Sequence, residues 1–187
     1  SFSQLQQGVE RMQHLVEQLL SFYRSSPDQF VANCTQLNLL SVTQDVLARL
    51  YPVVEGRKQT LELEGVEAII YGDRFALETL IENLLNNASK YTQAGGHILL
   101  KIEVDQQRVS LVVADNGPGI SAEVRKHVFE RFFRTMPGQG KVSGSGLGLA
   151  IVQHVAQLHN ALVTIEDSGW DSGVAFRISF PEINDVA

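Results

Sequence analysis

Several features are scarce in this chain of 187 residues, and each absence removes a class of protein. A single cysteine, Cys34, excludes a disulfide framework and fits a reducing compartment. The formal net charge is −6, the pI is near 5.3 and no basic run appears, which argues against nucleic acid as a partner. No apolar run of about 18 residues and no signal peptide is present. We therefore expect the chain to be soluble as it stands, with no direct membrane contact.

The chain does contain enough apolar residues for a core, because hydrophobic residues make up 44% of the sequence. Its length suits one domain of about 150 residues plus an appendage. The appendage is indicated at residues 3–24, where apolar side chains recur at spacings of four and three, as in a heptad seam. The seam consists of Leu5, Val9, Met12, Val16, Leu19 and Tyr23.

A helix with this seam cannot bury its apolar face alone, so it needs a partner helix in the same chain or in another copy. Packing on its own domain is the alternative. Residues 25–28, Ser-Ser-Pro-Asp, break the pattern and mark a boundary. The prediction is a bundle helix in residues 1–27, a linker in residues 28–37 and a globular domain in residues 38–187.

Within the globular domain, helical and strand patterns are mixed. Asn38 is predicted to cap a helix ending near Glu55, and Asp73 to open another ending near Tyr91. Two further helices are predicted at residues 121–131 and 147–160. Strands are predicted at residues 58–64, 68–71, 97–104, 108–114, 161–166 and 174–180. Strands gathered with helices that could all cover one face predict an α+β fold, a two-layer α/β sandwich.

A glycine-rich turn, residues 115–120 (Asp-Asn-Gly-Pro-Gly-Ile), follows the apolar strand at 108–114. Gly117 and Gly119 permit positive φ and a close approach of a ligand to the backbone, while Pro118 stiffens the turn. Asp115 can accept a hydrogen bond from an amine, such as the exocyclic amine of adenine. The same six residues also suit an ordinary turn, so this motif alone does not decide the function.

Three further blocks accompany that turn: residues 83–92 (NLLNNASKYT), 129–134 (FERFFR) and 144–149 (GSGLGL). Taken in chain order, the four blocks resemble the asparagine, first glycine, phenylalanine and second glycine boxes of two-component sensor histidine kinases, members of the GHKL superfamily. The resemblance covers roughly residues 38–181. It implies a Bergerat-type ATP-binding fold, with a mixed sheet and helices on one face. It also implies that residues 1–27 are the second helix of a dimerisation and phosphoacceptor hairpin.

Three polar residues of the first block, Asn83, Asn87 and Lys90, project from one helix face at spacings of four and three. An amide oxygen suits a Mg²⁺ ion that keeps most of its water and phosphate ligands. The resemblance implies that Asn87 binds Mg²⁺, that Asn83 supports the same site and that Lys90 reaches the phosphates. It places Tyr91 beside the nucleotide. The alternative is an ordinary solvated polar face.

The residue at position 83 separates two activities. In related ATP-hydrolysing chaperones, topoisomerases and mismatch-repair proteins, a glutamate occupies this place and activates water. Here Glu82 stands one residue earlier, which a helix turns about 100° away from Asn83. A site without a base for water is suited to transferring the γ-phosphoryl group to a protein side chain. An ATPase of the same fold and a non-catalytic, anti-sigma-like nucleotide-binding module remain alternatives.

The last glycine block stands directly before a helix, where backbone N–H groups and the helix dipole favour phosphate. The glycine-rich residues 134–143 are expected to form an ATP lid. At its start, Arg134 is the candidate for a charge on the γ-phosphate, with a surface arginine as the alternative. The resemblance therefore implies Asn83 and Arg134 as catalytic residues. It implies nucleotide contacts by Asn87, Lys90, Tyr91, Asp115, Gly117, Gly119, Ile120, Gly144, Ser145, Gly146, Leu147 and Gly148.

None of the five histidines has the family's acceptor context, which is a following acidic residue and usually threonine and proline four and five residues on. They are His14, His97, His127, His154 and His159. We expect this chain to bind Mg²⁺ and ATP without labelling itself. The resemblance implies a homodimer that supplies the acceptor helix and a response-regulator receiver domain as the next partner. It implies the cytoplasmic portion of a bacterial inner-membrane sensor.

Overall fold

The computed structural model describes residues 33–106, 108–133 and 146–182. The predicted helix at residues 3–24, the boundary after residue 27 and the lid at residues 134–143 lie outside these ranges. The described elements follow in chain order: β1 (Thr35–Asn38), α1 (Leu39–Gly56), β2 (Thr60–Gly65), β3 (Ile69–Gly72), α2 (Arg74–Tyr91), β4 (His97–Asp105), β5 (Arg108–Asp115), α3 (Ala122–Arg125), α4 (Gly148–Leu158), β6 (Leu162–Glu166) and β7 (Val174–Ser179).

Both predicted caps of the long helices are confirmed. The Asn38 side chain accepts a hydrogen bond from the backbone N–H of Leu40 at 3.1 Å. The Asp73 side chain accepts one from the N–H of Ala76 at 2.8 Å. Each cap satisfies one of the N–H groups that the first turn of a helix leaves without an intrahelical partner. The helix beginning at Arg74 is the element that carries the asparagine-rich face, so its start fixes the register of that face.

Five strands form one mixed sheet in the order β2-β4-β5-β7-β6. β2 runs parallel to β4, and the other neighbouring pairs are antiparallel. β1 and β3 form a separate antiparallel pair. The main core lies between the helices and one face of the five-stranded sheet, and includes Leu77, Leu80, Leu84, Ile98, Leu100, Leu111, Val152 and Ile178. The predicted two-layer α+β sandwich is therefore confirmed.

On the opposite face of the sheet, the buried apolar residues among those described form a small cluster of Val112, Ala114 and Ala175. Arg177, which pairs with Val112 across neighbouring strands, donates to Glu103 at 2.6 Å and to Glu166 at 2.8 Å. Since β5 lies between β4 and β7, the bond to Glu103 crosses a strand. The arginine stem thus lies above the small apolar cluster while its charged end meets water and two carboxylates.

The helix predicted for residues 121–131 is much shorter in the structure, where α3 ends at Arg125. Tighter turns follow, with His127 N–H donating to the Val124 carbonyl and Glu130 N–H to the His127 carbonyl. The chain then reaches Phe132 with a φ of 62°. A continuing α-helix would not allow that backbone conformation, so the prediction of the helix end was wrong.

None of the helices in the three described ranges is long and apolar enough to cross a membrane.

Candidate functional site

Asp115 ends β5 and is 4% exposed. It is paired with Ile98, on the sheet face that packs against the helices. Its Oδ1 accepts a hydrogen bond from the Gly117 N–H at 2.9 Å. Burial raises the pKa of this carboxyl to about 6, and the Gly117 hydrogen bond lowers the pKa by less. One oxygen thus holds the loop, which leaves Oδ2 as the acceptor for an amine of a ligand.

The two glycines of this loop are needed for different reasons. Gly119 has a φ of 74°, as predicted, and its missing Cβ would lie 2.8 Å from the Gly173 carbonyl oxygen. Gly117 is not in the positive-φ region, so the conformational freedom that its glycine permits is not used. A Cβ there would instead lie 2.8 Å from Asp115 Oδ1 and 3.0 Å from the Tyr91 carbonyl oxygen. Gly117 is therefore required by close packing between the loop and the end of α2.

The next residue of the loop, Ile120, is half-buried and packs against the main core. Its carbonyl accepts a hydrogen bond from the Arg125 guanidinium at 3.0 Å. The loop is therefore anchored at both ends, by Asp115 in the sheet and by Ile120 at the start of α3.

The polar face of α2 lies beside the start of α4. Asn83 Nδ2 donates to the Thr79 carbonyl at 2.8 Å, and Asn83 Oδ1 lies 3.1 Å from where a Cβ on Gly148 would stand. Asn87, one turn further on, is half-buried. The ammonium group of Lys90 lies 5.2 Å from the ring centroid of Tyr91, within cation–π range. The structure thus brings together predicted residues of the asparagine box and of the second glycine box.

Gly146 packs closely against the backbone of Phe132 and Phe133. Its φ is 73°, and its carbonyl accepts a hydrogen bond from the Phe132 N–H at 3.0 Å. A Cβ on Gly146 would lie 2.8 Å from the Phe133 carbonyl oxygen and 2.9 Å from backbone atoms of Phe132. The two described ends that flank residues 134–145 therefore meet. Arg134, Gly144 and Ser145 lie outside the described residues.

The N-terminus of α4 suits an anion. The buried Leu147 stands at the N-cap position and has no side-chain oxygen that could accept from the first-turn N–H groups. Among the described residues no side chain caps this helix, and the N–H groups of a helix N-terminus carry partial positive charge. Because Gly148 begins the helix next to Asn83, those groups lie beside the amide face of α2. Phosphate oxygens between the two helices would meet donors from both.

The phenylalanines of residues 129–133 do not share one environment. Phe129 packs edge-on against Phe176 at 6.3 Å, and Phe133 stacks on His127 at 5.9 Å. Phe132 is 65% exposed. The sequence also predicts that these three phenylalanines pack beneath the lid, and this stays a prediction because residues 134–143 lie outside the described ranges.

Glu82 is directed away from the amide face. Its Oε1 accepts a hydrogen bond from Arg49 of α1 at 2.8 Å, and the same guanidinium binds Glu78 at 2.9 Å. The predicted turn of about 100° between Glu82 and Asn83 thus places this carboxylate in an ion pair with a neighbouring helix.

The donor chemistry of the described residues fits a magnesium ion held largely by phosphate. They contain no group of three histidine, cysteine, aspartate or glutamate side chains that could hold a metal by themselves. What the α2 face offers is the neutral amide oxygen of Asn87, with Asn83 one turn earlier. Mg²⁺ commonly takes one or two protein oxygens and completes its shell with water and substrate phosphates.

Two residues that support the loop were not predicted. Asn116 Oδ1 accepts from the His97 N–H at 2.8 Å, which ties the loop to the start of β4. Gly173 has a φ of 116°, and a Cβ there would stand 1.8 Å from the Asp115 carbonyl oxygen. A glycine directly before the last predicted strand was a usable signal for this close approach. Asn116 gave no signal beyond lying inside the motif.

A buried carboxylate at a strand end, an amide-bearing helix and a helix N-terminus suited to anions lie between the sheet and one helical layer, and their chemistry suits a nucleotide. Residues 72–184 match the family described as "Histidine kinase-, DNA gyrase B-, and HSP90-like ATPase", and the chain belongs to this family. Membership identifies ATP as the nucleotide.

Several proteins that are similar to this chain are sensor kinases. The chain is 31% identical to the sensor protein kinase PmrB of Pseudomonas aeruginosa, over 96% of this chain and 37% of PmrB. The solved structure of the mycobacterial sensor histidine kinase MprB shares 32% identity and a TM-score of 0.69, covering 79% of this chain and 96% of that one. The Acinetobacter baumannii histidine kinase AdeS shares 28% identity and a TM-score of 0.74, covering 98% and 84%. The chain thus spans little more than a third of the PmrB length.

Proposed function

We propose that this chain is the ATP-binding catalytic part of a two-component sensor histidine kinase. It transfers the γ-phosphoryl group of ATP to a histidine on an acceptor helix, from which the group passes to an aspartate of a response-regulator receiver domain. In the first step the bond between the γ-phosphorus and the β,γ-bridging oxygen breaks. A phosphorus–nitrogen bond forms, ADP leaves, and the imidazole releases its proton to solvent.

The observation that carries this proposal over ATP hydrolysis is the pairing of Glu82 with Arg49. Hydrolysis needs a base that activates water. The carboxylate nearest in sequence to Asn83 is that of Glu82, and it forms an ion pair with Arg49 of α1. A site that orients phosphates without such a base favours transfer to a positioned nucleophile. The sensor-kinase names of the relatives support the same assignment.

The chain's own residues hold ATP at three places. Asp115 accepts from the adenine amine, the N-terminus of α4 donates to the phosphates, and Lys90 adds positive charge. Asn87 is the protein ligand that would hold Mg²⁺, with Asn83 in support. The bound ion would neutralise phosphate charge in the transition state. Arg134, which begins the proposed lid at residues 134–143, is the candidate for the γ-phosphate itself. The backbone of Gly144 and Ser145 is proposed to contact the phosphates.

The whole protein is proposed to be a homodimer. Residues 1–27 would be the second helix of its dimerisation and phosphoacceptor hairpin, residues 28–37 a linker and residues 38–187 the catalytic domain. Its acceptor histidine would lie on the preceding helix. The assembly would be the cytoplasmic portion of a bacterial inner-membrane sensor.

Phosphotransfer in trans tests the proposal. The chain is mixed with a separately produced phosphoacceptor hairpin from the PmrB relative and with ATP labelled at the γ-phosphate. We expect acid-labile label on the hairpin, no label on this chain, and loss of transfer in Asn87→Ala. Glu82→Ala, the matched control on the same helix, should transfer normally.

Other outcomes identify the alternatives. Steady phosphate release that Glu82→Ala abolishes and Asn83→Ala leaves intact would show an ATPase. Nucleotide binding with neither transfer nor release would show a regulatory module. Acid-labile label on the chain itself would contradict the assignment of its histidines.

A further inference from the structure

The last turn of α2 carries Lys90 and Tyr91, and it ends without a glycine cap. Helices commonly finish on a glycine in the left-handed conformation, which lets backbone N–H groups reach the last carbonyls. Here the C-cap residue is Thr92, with φ −73° and ψ 135°, and its N–H reaches only the Ala88 carbonyl. The following carbonyls of the helix need donors from elsewhere.

Gln59 supplies such donors from the turn between α1 and β2. Its side-chain amide nitrogen donates to the Ser89 carbonyl at 2.8 Å and to the Thr92 carbonyl at 2.6 Å. Its side-chain oxygen accepts from the Ser89 hydroxyl at 2.7 Å. One glutamine thus makes three hydrogen bonds to the end of a helix 30 residues away in sequence.

This contact is buried and specific. Gln59 is 9% exposed, and Ser89 is also buried. Both N–H donors of the amide are used, so an apolar side chain of the same length would leave two buried carbonyls without a partner. Arg57 also donates to the Ser89 hydroxyl, at 3.1 Å.

The same end of α2 borders the loop at residues 115–120, which is proposed to bind the adenine base. The Tyr91 carbonyl oxygen lies 3.0 Å from the position of a Cβ on Gly117. Two backbone hydrogen bonds continue the attachment, from Gly95 N–H to the Lys58 carbonyl at 2.7 Å and from Thr60 N–H to the Gly96 carbonyl at 2.9 Å. The turn around Gln59 therefore sets where the last turn of α2 stands against the loop that follows Asp115.

We propose that Gln59 is a positioning residue of the nucleotide site, acting as a tertiary C-cap that holds the last turn of α2 against the loop at Gly117. It touches no part of the ATP. It fixes the distance between the groups that recognise the base and those that recognise the phosphates. The inference deepens the proposed function, since it rests on ATP binding at this site.

Two substitutions at Gln59 that keep the side-chain volume nearly unchanged test whether its hydrogen bonds, rather than its volume, position the end of α2. Gln59→Leu removes both donors, and Gln59→Glu replaces them with a carboxylate that faces two carbonyl oxygens. We expect the Kd for a non-hydrolysable ATP analogue with Mg²⁺, measured by calorimetry on folded protein, to rise about tenfold in Gln59→Leu and further in Gln59→Glu. Ser89→Ala, which keeps the two carbonyl contacts, should weaken binding by less than Gln59→Leu.

The control is Thr43→Val, which removes a buried hydrogen bond of 2.8 Å to the Leu39 carbonyl within α1. It should lower the melting temperature and leave the Kd unchanged. Hydrogen exchange of the empty proteins adds a readout that needs no nucleotide. Backbone amides of residues 92–96 should exchange faster in Gln59→Leu than in wild type, and Thr43→Val should not change them.

The outcomes separate the two claims. Wild-type binding with an unchanged Kd in folded Gln59→Leu would overturn the positioning role. Equal weakening by Thr43→Val would also overturn it, since general destabilisation would then explain the effect. Absence of nucleotide binding by the wild type would instead refute the proposed function. In that event, unchanged exchange at residues 92–96 would refute the cap as well, and faster exchange would support it.

Discussion

The burial of Asp115 has opposite effects on the empty protein and on ligand recognition. A carboxyl whose pKa is raised by desolvation is destabilised when ionised, so the folded state binds its proton more tightly than the unfolded state. Stability attributable to this group therefore falls as the pH rises from about 4 through about 6. At neutral pH the empty domain carries an unfavourable charge that an adenine amine would partly offset.

Asp115→Asn should therefore make the empty domain more stable while it weakens nucleotide binding. An asparagine oxygen still accepts from the Gly117 N–H but introduces no buried charge. We expect the free energy of unfolding at pH 7.5 to rise by the order of 2 kcal/mol, and the gain to disappear as the pH falls to about 4. Denaturant unfolding at several pH values measures the first effect, and calorimetric titration measures the loss of affinity. A variant less stable than wild type at pH 7.5 would contradict this account of Asp115.

Single residues also show where sequence reasoning ends. The angle between Glu82 and Asn83 follows from helix geometry alone, and the structure agrees. The ion-pair partner of Glu82 could not be predicted from the sequence, because Arg49 lies 33 residues earlier and no local pattern pairs them. Gln59 was missed for the same reason, since its contacts exist only once two distant turns meet.

At the scale of elements, the glycine before α4 joins two segments by backbone packing. Gly146 combines positive φ with atoms at 2.8 to 2.9 Å from any added Cβ, whereas Gly169 has a similar φ of 83° and nothing within 4 Å. An alanine at Gly169 would therefore suffer backbone strain alone, whereas an alanine at Gly146 would suffer the same strain and a steric clash.

Gly146→Ala should destabilise the domain more than Gly169→Ala. Each substitution costs about 1 kcal/mol for an alanine at positive φ, and Gly146→Ala adds a clash with the backbone of Phe132 and Phe133. We expect a difference of about 1 to 3 kcal/mol in the free energy of unfolding, with weaker nucleotide binding in Gly146→Ala only. Equal losses in both variants would show that the packing at Gly146 is unimportant.

Element boundaries were predicted well where local chemistry sets them. The caps Asn38 and Asp73 fixed the starts of α1 and α2, since a short polar side chain before an apolar periodic run is a local signal. The predicted end of the helix at residue 131 was wrong, because tighter turns follow Arg125. The Phe132 N–H then bonds to the Gly146 carbonyl, a contact that no local pattern predicts. The bundle helix at residues 3–24 and its boundary remain predictions.

At the scale of the whole molecule, the sheet face away from the helices is exposed to water, yet its central strand β5 carries the apolar residues Val112 and Ala114 there. Arg177 covers this area by binding Glu103 and Glu166 above Val112. Hydrogen bonds from Lys101 and Arg177 hold the pKa of the Glu103 carboxyl below its usual value. A lowered carboxyl pKa gives stability that is present above the unfolded pKa and is lost as the pH falls through the folded pKa.

Arg177→Met should cost more stability than Arg49→Met, although each arginine bridges two glutamates. The side chain of Arg49 is 46% exposed and that of Arg177 is 28% exposed. We expect losses of about 1 to 2 kcal/mol for Arg177→Met and below about 1 kcal/mol for Arg49→Met, by denaturant unfolding at pH 7. The cost of Arg177→Met should shrink as the pH falls below about 4. Equal costs at pH 7 would contradict the covering role of Arg177.

The two-layer arrangement of sheet and helices was predictable from the whole sequence. Apolar strands and two capped helices were enough, because each part is a local pattern. The assignment of the site residues remains a prediction. The outer-face network was not predictable, because it depends on strand order. β4 and β7 lie on either side of β5, and the sequence separates their residues by 74 positions.

The central claim is that adenine is bound at Asp115 while the triphosphate spans from Asn87 to the start of α4. Calorimetric titration of the wild type, Asp115→Ala and Asn87→Ala with a non-hydrolysable ATP analogue and Mg²⁺ tests it most directly. We expect wild-type binding and a loss of about tenfold or more in each variant, with Asn87→Ala also losing its dependence on Mg²⁺. Comparable affinity in all three proteins would contradict the site.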